Sequence, residues 1–235
     1  MNGPSWGEDR PLHDRTHCMV GHDHHTRVLT STDLGSMYVF DYQKYEDATN
    51  YCPGKHAVCD RLIAEGRWEP HDTIPIRKML EDGSRNNLVI DFGAHCGWYT
   101  IMAAQLGYMV WAIEGDPEVA DLLRENIALH RYQDRVTVIE AWVDGEFVLP
   151  EVGDRDIELV KSDLEGNELY AVAAVEPFIE KIENFYLEIS PCFADYYPGL
   201  VDDLYVHGFR AYYPNNKAFR GDFSPSQLNL RFSRT

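Results

Sequence analysis

A chain of 235 residues is long enough for one large α/β domain with trimmings, and a composition of 44% hydrophobic and 26% charged residues is that of a globular protein. The 39 acidic residues against 21 basic ones give a formal net charge of −18, a field that repels phosphate backbones and anionic membrane surfaces. Neither nucleic acid nor a membrane is expected as a partner, although a local basic cleft around Arg210, Lys217 and Arg220 would still admit an anionic substrate.

Residues 1–26 are polar, rich in His, Asp and Arg, and without helical or strand periodicity, so a flexible extension is expected there. No cationic start leads into an apolar run, and no stretch of about eighteen apolar residues occurs, so neither a signal peptide nor a membrane span is expected. His22, Asp23, His24 and His25 suggest metal only weakly, because adjacent residues rarely converge on one ion; solvated side chains are the expectation. Five scattered cysteines, Cys18, Cys52, Cys59, Cys96 and Cys192, contain no Cys-x-x-Cys pair and cannot all pair within the chain. A reduced, cytoplasmic protein is the reading they favour.

Residues 27–86 read as a cap or lid. Two apolar stretches flank Thr32-Asp33-Leu34-Gly35 over residues 27–41, which predicts a β-hairpin. A helix-like run from His56 ends at Gly66, and a second helix is predicted over residues 74–80. Tyr38, Tyr42, Tyr45, Tyr51 and Trp68 would either stack on sugar faces or pack on the sheet beneath.

From Asn87 onward the pattern becomes regular, and residues 87–235 read as the main domain. LVIDF, a helix over WYTIMAAQL, YMVWAI and a helix over PEVADLLRENIALH alternate as βαβ units on a parallel, doubly wound sheet. Further strands are predicted for RVTVIEAWV, EFVL, DIELVKSD, ENFYLEIS, FRAYY and LNLRF, with helices over residues 169–182 and 200–207.

Three motifs carry chemistry. In VIDFGAHCGWYT a buried strand runs into Asp91, and Gly93 and Gly97 allow a tight turn before a helix, the arrangement of a nucleotide-cofactor site. His95 occupies the position where a dinucleotide fingerprint needs glycine for close approach of a pyrophosphate. S-adenosylmethionine has no phosphate, and its cationic groups favour a nearby carboxylate such as Asp91. Glu114 ends the next strand, where an acidic side chain reaches ribose hydroxyls. Asp116 supplies the N-cap of the helix that follows. In LVKSDLEGNELY, Lys161 and Asp163 share one side of the strand, with Glu165 and Glu168 at the junction to a helix; Glu188 closes the next strand. Crowded carboxylates suit a general base, or else recruit a divalent cation, which is the less favoured option; Glu168 is read as a helix N-terminal residue.

In this order and at these separations, VIDFGAHCGWYT, VWAIEGDPEVADLLRENIALH, VKSDLEGNELY and FYLEIS resemble the FkbM family of S-adenosylmethionine-dependent methyltransferases. The resemblance is firm from about Leu88 to Phe193. It implies a Rossmann-like class I methyltransferase sheet of seven strands, the last antiparallel, and methyl transfer to a hydroxyl of a sugar, glycan or other small natural product. It also implies that Asp91, Gly93 and Gly97, with Ala94 and His95 between them, line the methionine end. Glu114 would hold the ribose, while Asp163 and Glu165 face the reaction centre, Asp163 in reach of cofactor as well. The sequence departs from the pattern at His95, where the family usually has Asn, and at Cys96, where an aliphatic residue is usual. A nicotinamide-dependent oxidoreductase is disfavoured by His95, and a non-catalytic cofactor-binding module by the cost of keeping unpaired acids at such a site.

Overall fold

The computed structural model describes residues 26–41, 53–189, 197–221 and 228–234. The expectations for the N-terminal extension with its histidine cluster, for Tyr42, Tyr45 and Tyr51, and for Cys18, Cys52 and Cys192 lie outside the described residues. No helix among the described residues is long and apolar enough to cross a membrane.

Seven strands form one sheet: β3 (Leu88–Phe92), β4 (Met109–Glu114), β5 (Val136–Glu140), β6 (Ile157–Ser162), β7 (Asn184–Ile189), β8 (Phe209–Tyr212) and β9 (Leu228–Arg234). Their order is β5-β4-β3-β6-β7-β9-β8. The neighbours from β5 to β7 pair in parallel, whereas β9 runs antiparallel to both β7 and β8. This is the doubly wound architecture that the alternating pattern predicts, and β3 and β6 at its centre are buried along their whole length, as parallel strands covered on both faces must be.

One face carries Leu159, Val89, Val110 and Ala112 beneath α3 (Trp98–Gln105) and α4 (Pro117–Leu129). The other carries Ile90, Phe92, Val160, Phe185 and Leu187 beneath α5 (Glu168–Val175) and α6 (Tyr197–Val206). The predicted hairpin forms as β1 (Arg27–Thr32) and β2 (Gly35–Phe40), and α1 (Pro53–Glu65) and α2 (Pro70–Asp82) follow it. Tyr38 and Trp68 pack against the first core, which places these two aromatics on the packing side of the alternative left open by the sequence.

Four segments differ from the sequence reading. EFVL is not a strand: Phe147 meets the Phe92 ring edge-on, Leu149 is buried and Pro150 has no N–H to offer a ladder, so the segment packs as a loop. The helix predicted over residues 169–182 gives way at Glu176 to a 3₁₀ turn (Glu176–Lys181), because Pro177 cannot donate the next helical bond. α2 starts at Pro70, four residues before the predicted Ile74, since proline at the first helical position forfeits no hydrogen bond. The strand predicted for RVTVIEAWV is confined to Val136–Glu140, and Ala141 N–H then bonds the Glu114 carbonyl.

Asn126, fully buried on α4, ties the hairpin to the domain. Its Oδ1 accepts from Tyr38 N–H (2.6 Å), and its Nδ2 donates to the carbonyls of Tyr38 (2.8 Å) and Cys96 (2.9 Å). Asn126→Ala should therefore cost about 2 kcal/mol through unsatisfied buried backbone groups. Differential scanning calorimetry should read this as a melting-temperature drop of roughly 4–8 °C; an unchanged midpoint would show the hairpin to be held by apolar contacts alone.

Candidate active site at the carboxyl edge of the sheet

The glycine loop between β3 and α3 takes its shape from steric demands. Gly93 has φ +73°, and a Cβ there would lie 1.9 Å from the Asp163 carbonyl oxygen, so only glycine lets β3 and β6 approach this closely. His95 also adopts a left-handed conformation, φ +49°. Histidine and asparagine are both tolerated there, which accounts physically for His95 at a position where the resembled family carries Asn.

The backbone donors of this loop are engaged within the protein. Gly93 and Ala94 N–H both reach the Ile113 carbonyl (3.0 Å each), Gly97 N–H bonds the Ala94 carbonyl (2.9 Å), and His95 N–H donates to Glu114 Oε2 (2.9 Å). Glu114 Oε1 accepts from Asp116 N–H (2.9 Å). Asp116 caps α4, as expected, by accepting from Glu118 and Val119 N–H. The ring of Trp142, a residue the motif reading did not single out, lies on Gly115, where a Cβ would be 2.7 Å from it, and it remains 46% exposed. Its position beside Glu114 follows from β5 ending at Glu140, one strand over.

On the other side of the loop, strand register gathers a polar stripe. Asp91 pairs with Lys161, Lys161 with Tyr186, Tyr186 with Arg231, and Glu188 with Asn229, so these side chains share one face. The Lys161 ammonium is buried at the centre, 3.5 Å from Asp91 Oδ1, 3.6 Å from Asp163 Oδ2 and 3.3 Å from the Gly93 carbonyl, over the Tyr99 ring at 5.0 Å. Burial alone would push its pKa down, but the negative charges beside it, Asp163 and Asp91 foremost, outweigh that and raise it, so Lys161 stays charged. Asp91 is 1% exposed and also accepts from the Thr100 hydroxyl at 2.6 Å, which makes it the anchor of Lys161 from beneath. Glu188 has its pKa strongly raised by burial and by the charge and hydrogen bond of Asp163, so it is held protonated against that neighbour. Glu165 is exposed at φ +52°. Glu168, as read from sequence, opens α5: Oε1 accepts from Leu164 and Gly166 N–H and Oε2 from the Tyr197 hydroxyl, which fixes the turn after Asp163.

The cap contributes two acids that the sequence reading missed. Glu69 precedes α2 and Asp72 lies in its first turn, and both line a narrow cleft with Tyr99, Lys161, Asp163, Tyr186, Glu188 and Asn229 among its other walls. Asp72, 1% exposed, accepts from the Tyr186 hydroxyl and pairs with His71 Nε2 at 2.8 Å. Tyr99 hydroxyl donates to Glu69 Oε2 at 3.4 Å. Their signal in the sequence was Glu-Pro-His-Asp at a helix start, legible as capping chemistry and not as a site.

Burial, helped by the charges of Asp72 and Asp163 and opposed by Lys161 and His71, raises the Glu69 pKa to about 7. The folded state therefore binds a proton that the unfolded chain releases near the ordinary value of 4.5, and Glu69's contribution to stability is lost as pH rises from there through about 7. Glu69→Gln should be more stable than the parent at pH 8, with the difference closing by about pH 5. Urea titrations across that range measure it, and a gap that widens toward acid would contradict the assignment.

Two trios have ligand atoms within 4.8 Å of one another, Glu69-His71-Asp72 and Asp163-Glu165-Glu188. In the second, the Lys161 ammonium already sits against Asp163 and competes with a divalent ion for it.

Comparison with known proteins fits this geometry. A family model described as the TRM5/TYW2 methyltransferase domain matches residues 67–161, which run from the cap acids through β6. A TehB-like SAM-dependent methyltransferase from Corynebacterium glutamicum superposes with a TM-score of 0.54 at 13% identity, covering 77% of this chain and 98% of that one. The fold is that of a class I methyltransferase. The METTL16 methyltransferase domain (TM-score 0.52, 12% identity, 87% of this chain and 86% of that one) and M. jannaschii TYW2 in complex with AdoMet (TM-score 0.50, 15% identity, 91% and 89%) share it. The matched model is a different methyltransferase family from the one that the motifs resemble; the two agree on the Rossmann-like fold. No curated protein matches the sequence.

Proposed function

We propose that this protein is an S-adenosylmethionine-dependent methyltransferase. The observation that carries the reading is the engagement of the loop's own N–H groups at Gly93, Ala94, His95 and Gly97, which leaves these donors none to offer a pyrophosphate. A phosphate-free, cationic donor suits such a loop, whereas a nicotinamide dinucleotide does not. The TRM5/TYW2 match and the shared fold support the same reading.

In this assignment Glu114 accepts from the ribose hydroxyls, Trp142 walls the base beside Gly115, and Gly93, Ala94, His95 and Gly97 border the amino-acid portion. Bound there, the donor supplies an electrophilic methyl group. Thr100 donates to Asp91, Asp91 holds Lys161, Lys161 holds Asp163, and Asp163 takes the proton of an acceptor O–H or N–H, with Glu188 adjoining and Glu165 at the rim. A hydroxyl of a sugar or small natural product is the acceptor that the FkbM resemblance implies.

Calorimetry with S-adenosylmethionine and, separately, NAD tests the proposal. The expected result is binding of the first alone, weakened by about 1–3 kcal/mol in Glu114→Ala because a charged acceptor is lost. Retention of NAD instead would overturn the reading, and unaltered affinity in Glu114→Ala would remove that residue from the site.

A further inference from the structure

The walls of the cleft between α2 and the ends of β6, β7 and β9 are unlike those expected around a neutral polyol. Four carboxyl groups, from Glu69, Asp72, Asp163 and Glu188, converge there. Most donors among the neighbouring side chains are committed: Tyr99 to Glu69, Tyr186 to Asp72, and Lys161 to the Gly93 carbonyl and its ion pairs with Asp91 and Asp163, while the buried Ser162 hydroxyl has no partner among the described residues. Glu188 adds an independent sign of a missing ligand. It is 5% exposed, it lines the cleft, and its Oε2 has no hydrogen-bond partner among the described residues. A buried acceptor of that kind costs stability unless a bound group donates to it. Tyr99 and Tyr186 add aromatic surface of the type that attracts cations. The enclosed space has room for about one water-sized group, so only the head of a ligand enters. The net charge of −18 attracts cations to the surface and opposes a polyanion.

We infer that this cleft is the acceptor site and that it is built for a protonated amine, either a small molecule or the amino end of a longer one. The inference rests on the methyltransferase reading and replaces the hydroxyl acceptor that the resemblance implies with a nitrogen. An ammonium supplies up to three hydrogen bonds to walls dominated by carboxyl oxygens and offsets their negative charge, whereas a lone hydroxyl supplies one bond and no charge. The ammonium gives one proton to the Asp163 carboxylate, which frees the nitrogen lone pair. That pair forms the new N–C bond as the methyl's bond to sulfur breaks, the electrons of the broken bond remain on sulfur, and the positive charge passes to the methylated nitrogen.

Titration calorimetry of the full chain with propylamine and putrescine, beside propanol and glycerol as neutral counterparts, in 0.15 M salt, tests this. The amines should bind at least about tenfold more tightly than the alcohols, and Glu69→Gln and Asp72→Asn should each remove about that factor. Exposed Glu81→Gln and Glu176→Gln should change amine affinity less than about twofold, since they contribute only to a screened long-range field. Folding of the cleft variants is checked by their melting curves and by unchanged S-adenosylmethionine affinity. With labelled donor present, the methylated amine should appear by mass spectrometry. Equal binding of alcohols, loss of amine binding in the surface variants alone, or displacement of S-adenosylmethionine by the amine would overturn the inference, the last by making the cleft part of the donor site. Failure of the wild type to bind S-adenosylmethionine at all would instead strike the methyltransferase reading, leaving the amine titrations to judge the cleft separately.

Discussion

Lys161→Met should lower stability by about 3–5 kcal/mol, because it leaves the buried carboxylate of Asp91 and the part-buried one of Asp163 without the ammonium between them. Methionine matches the length of the lysine stem, so lost packing contributes little and the effect isolates the charge. For a domain of this size that corresponds to a melting-temperature drop of roughly 6–20 °C near neutral pH. A variant as stable as the parent at pH 7 would show that Asp91 and Asp163 do not depend on this cation.

The central sheet was legible because its inner strands read as nearly continuous apolar runs, as in LVIDF and YMVWAI, separated by helices with plain caps such as Asp116-Pro117. Asp91, Glu114, Asp163 and Glu188 could be placed at one edge for the same reason: each ends a strand, and parallel strands end on one side. Pairing was harder to read. Lys161 stood in the sequence as a possible partner for several acids, and only register shows it between Asp91 and Asp163. Glu69 and Asp72 lie about ninety residues from the motif they join, on a cap helix whose start was misjudged by four residues at Pro70. Neither local propensity nor periodicity reports which side of a sheet such a helix covers. EFVL failed for a related reason, since its apolar residues are buried by tertiary contact with Phe92 and not by a ladder.

Asp163→Asn should slow methyl transfer by about a hundredfold or more while S-adenosylmethionine affinity stays within about twofold. The amide keeps the size of the side chain, and the main-chain bond from Asp163 N–H to the Phe92 carbonyl, 3.2 Å, is untouched. What it removes is the one carboxylate of the cleft that contacts the Lys161 ammonium directly while standing beside a protonated Glu188. Glu188 is a poor substitute, because burial, the largest cause of its raised pKa, persists when the Asp163 charge is removed. Glu188→Gln should therefore cost less than Asp163→Asn, since it exchanges one neutral hydrogen-bonding group for another. Single-turnover measurements at saturating donor separate this from a binding defect: the rate constant falls in Asp163→Asn and the donor dissociation constant does not. Full activity in Asp163→Asn would remove it as the base, and activity lost in Glu188→Gln but kept in Asp163→Asn would transfer the assignment to β7.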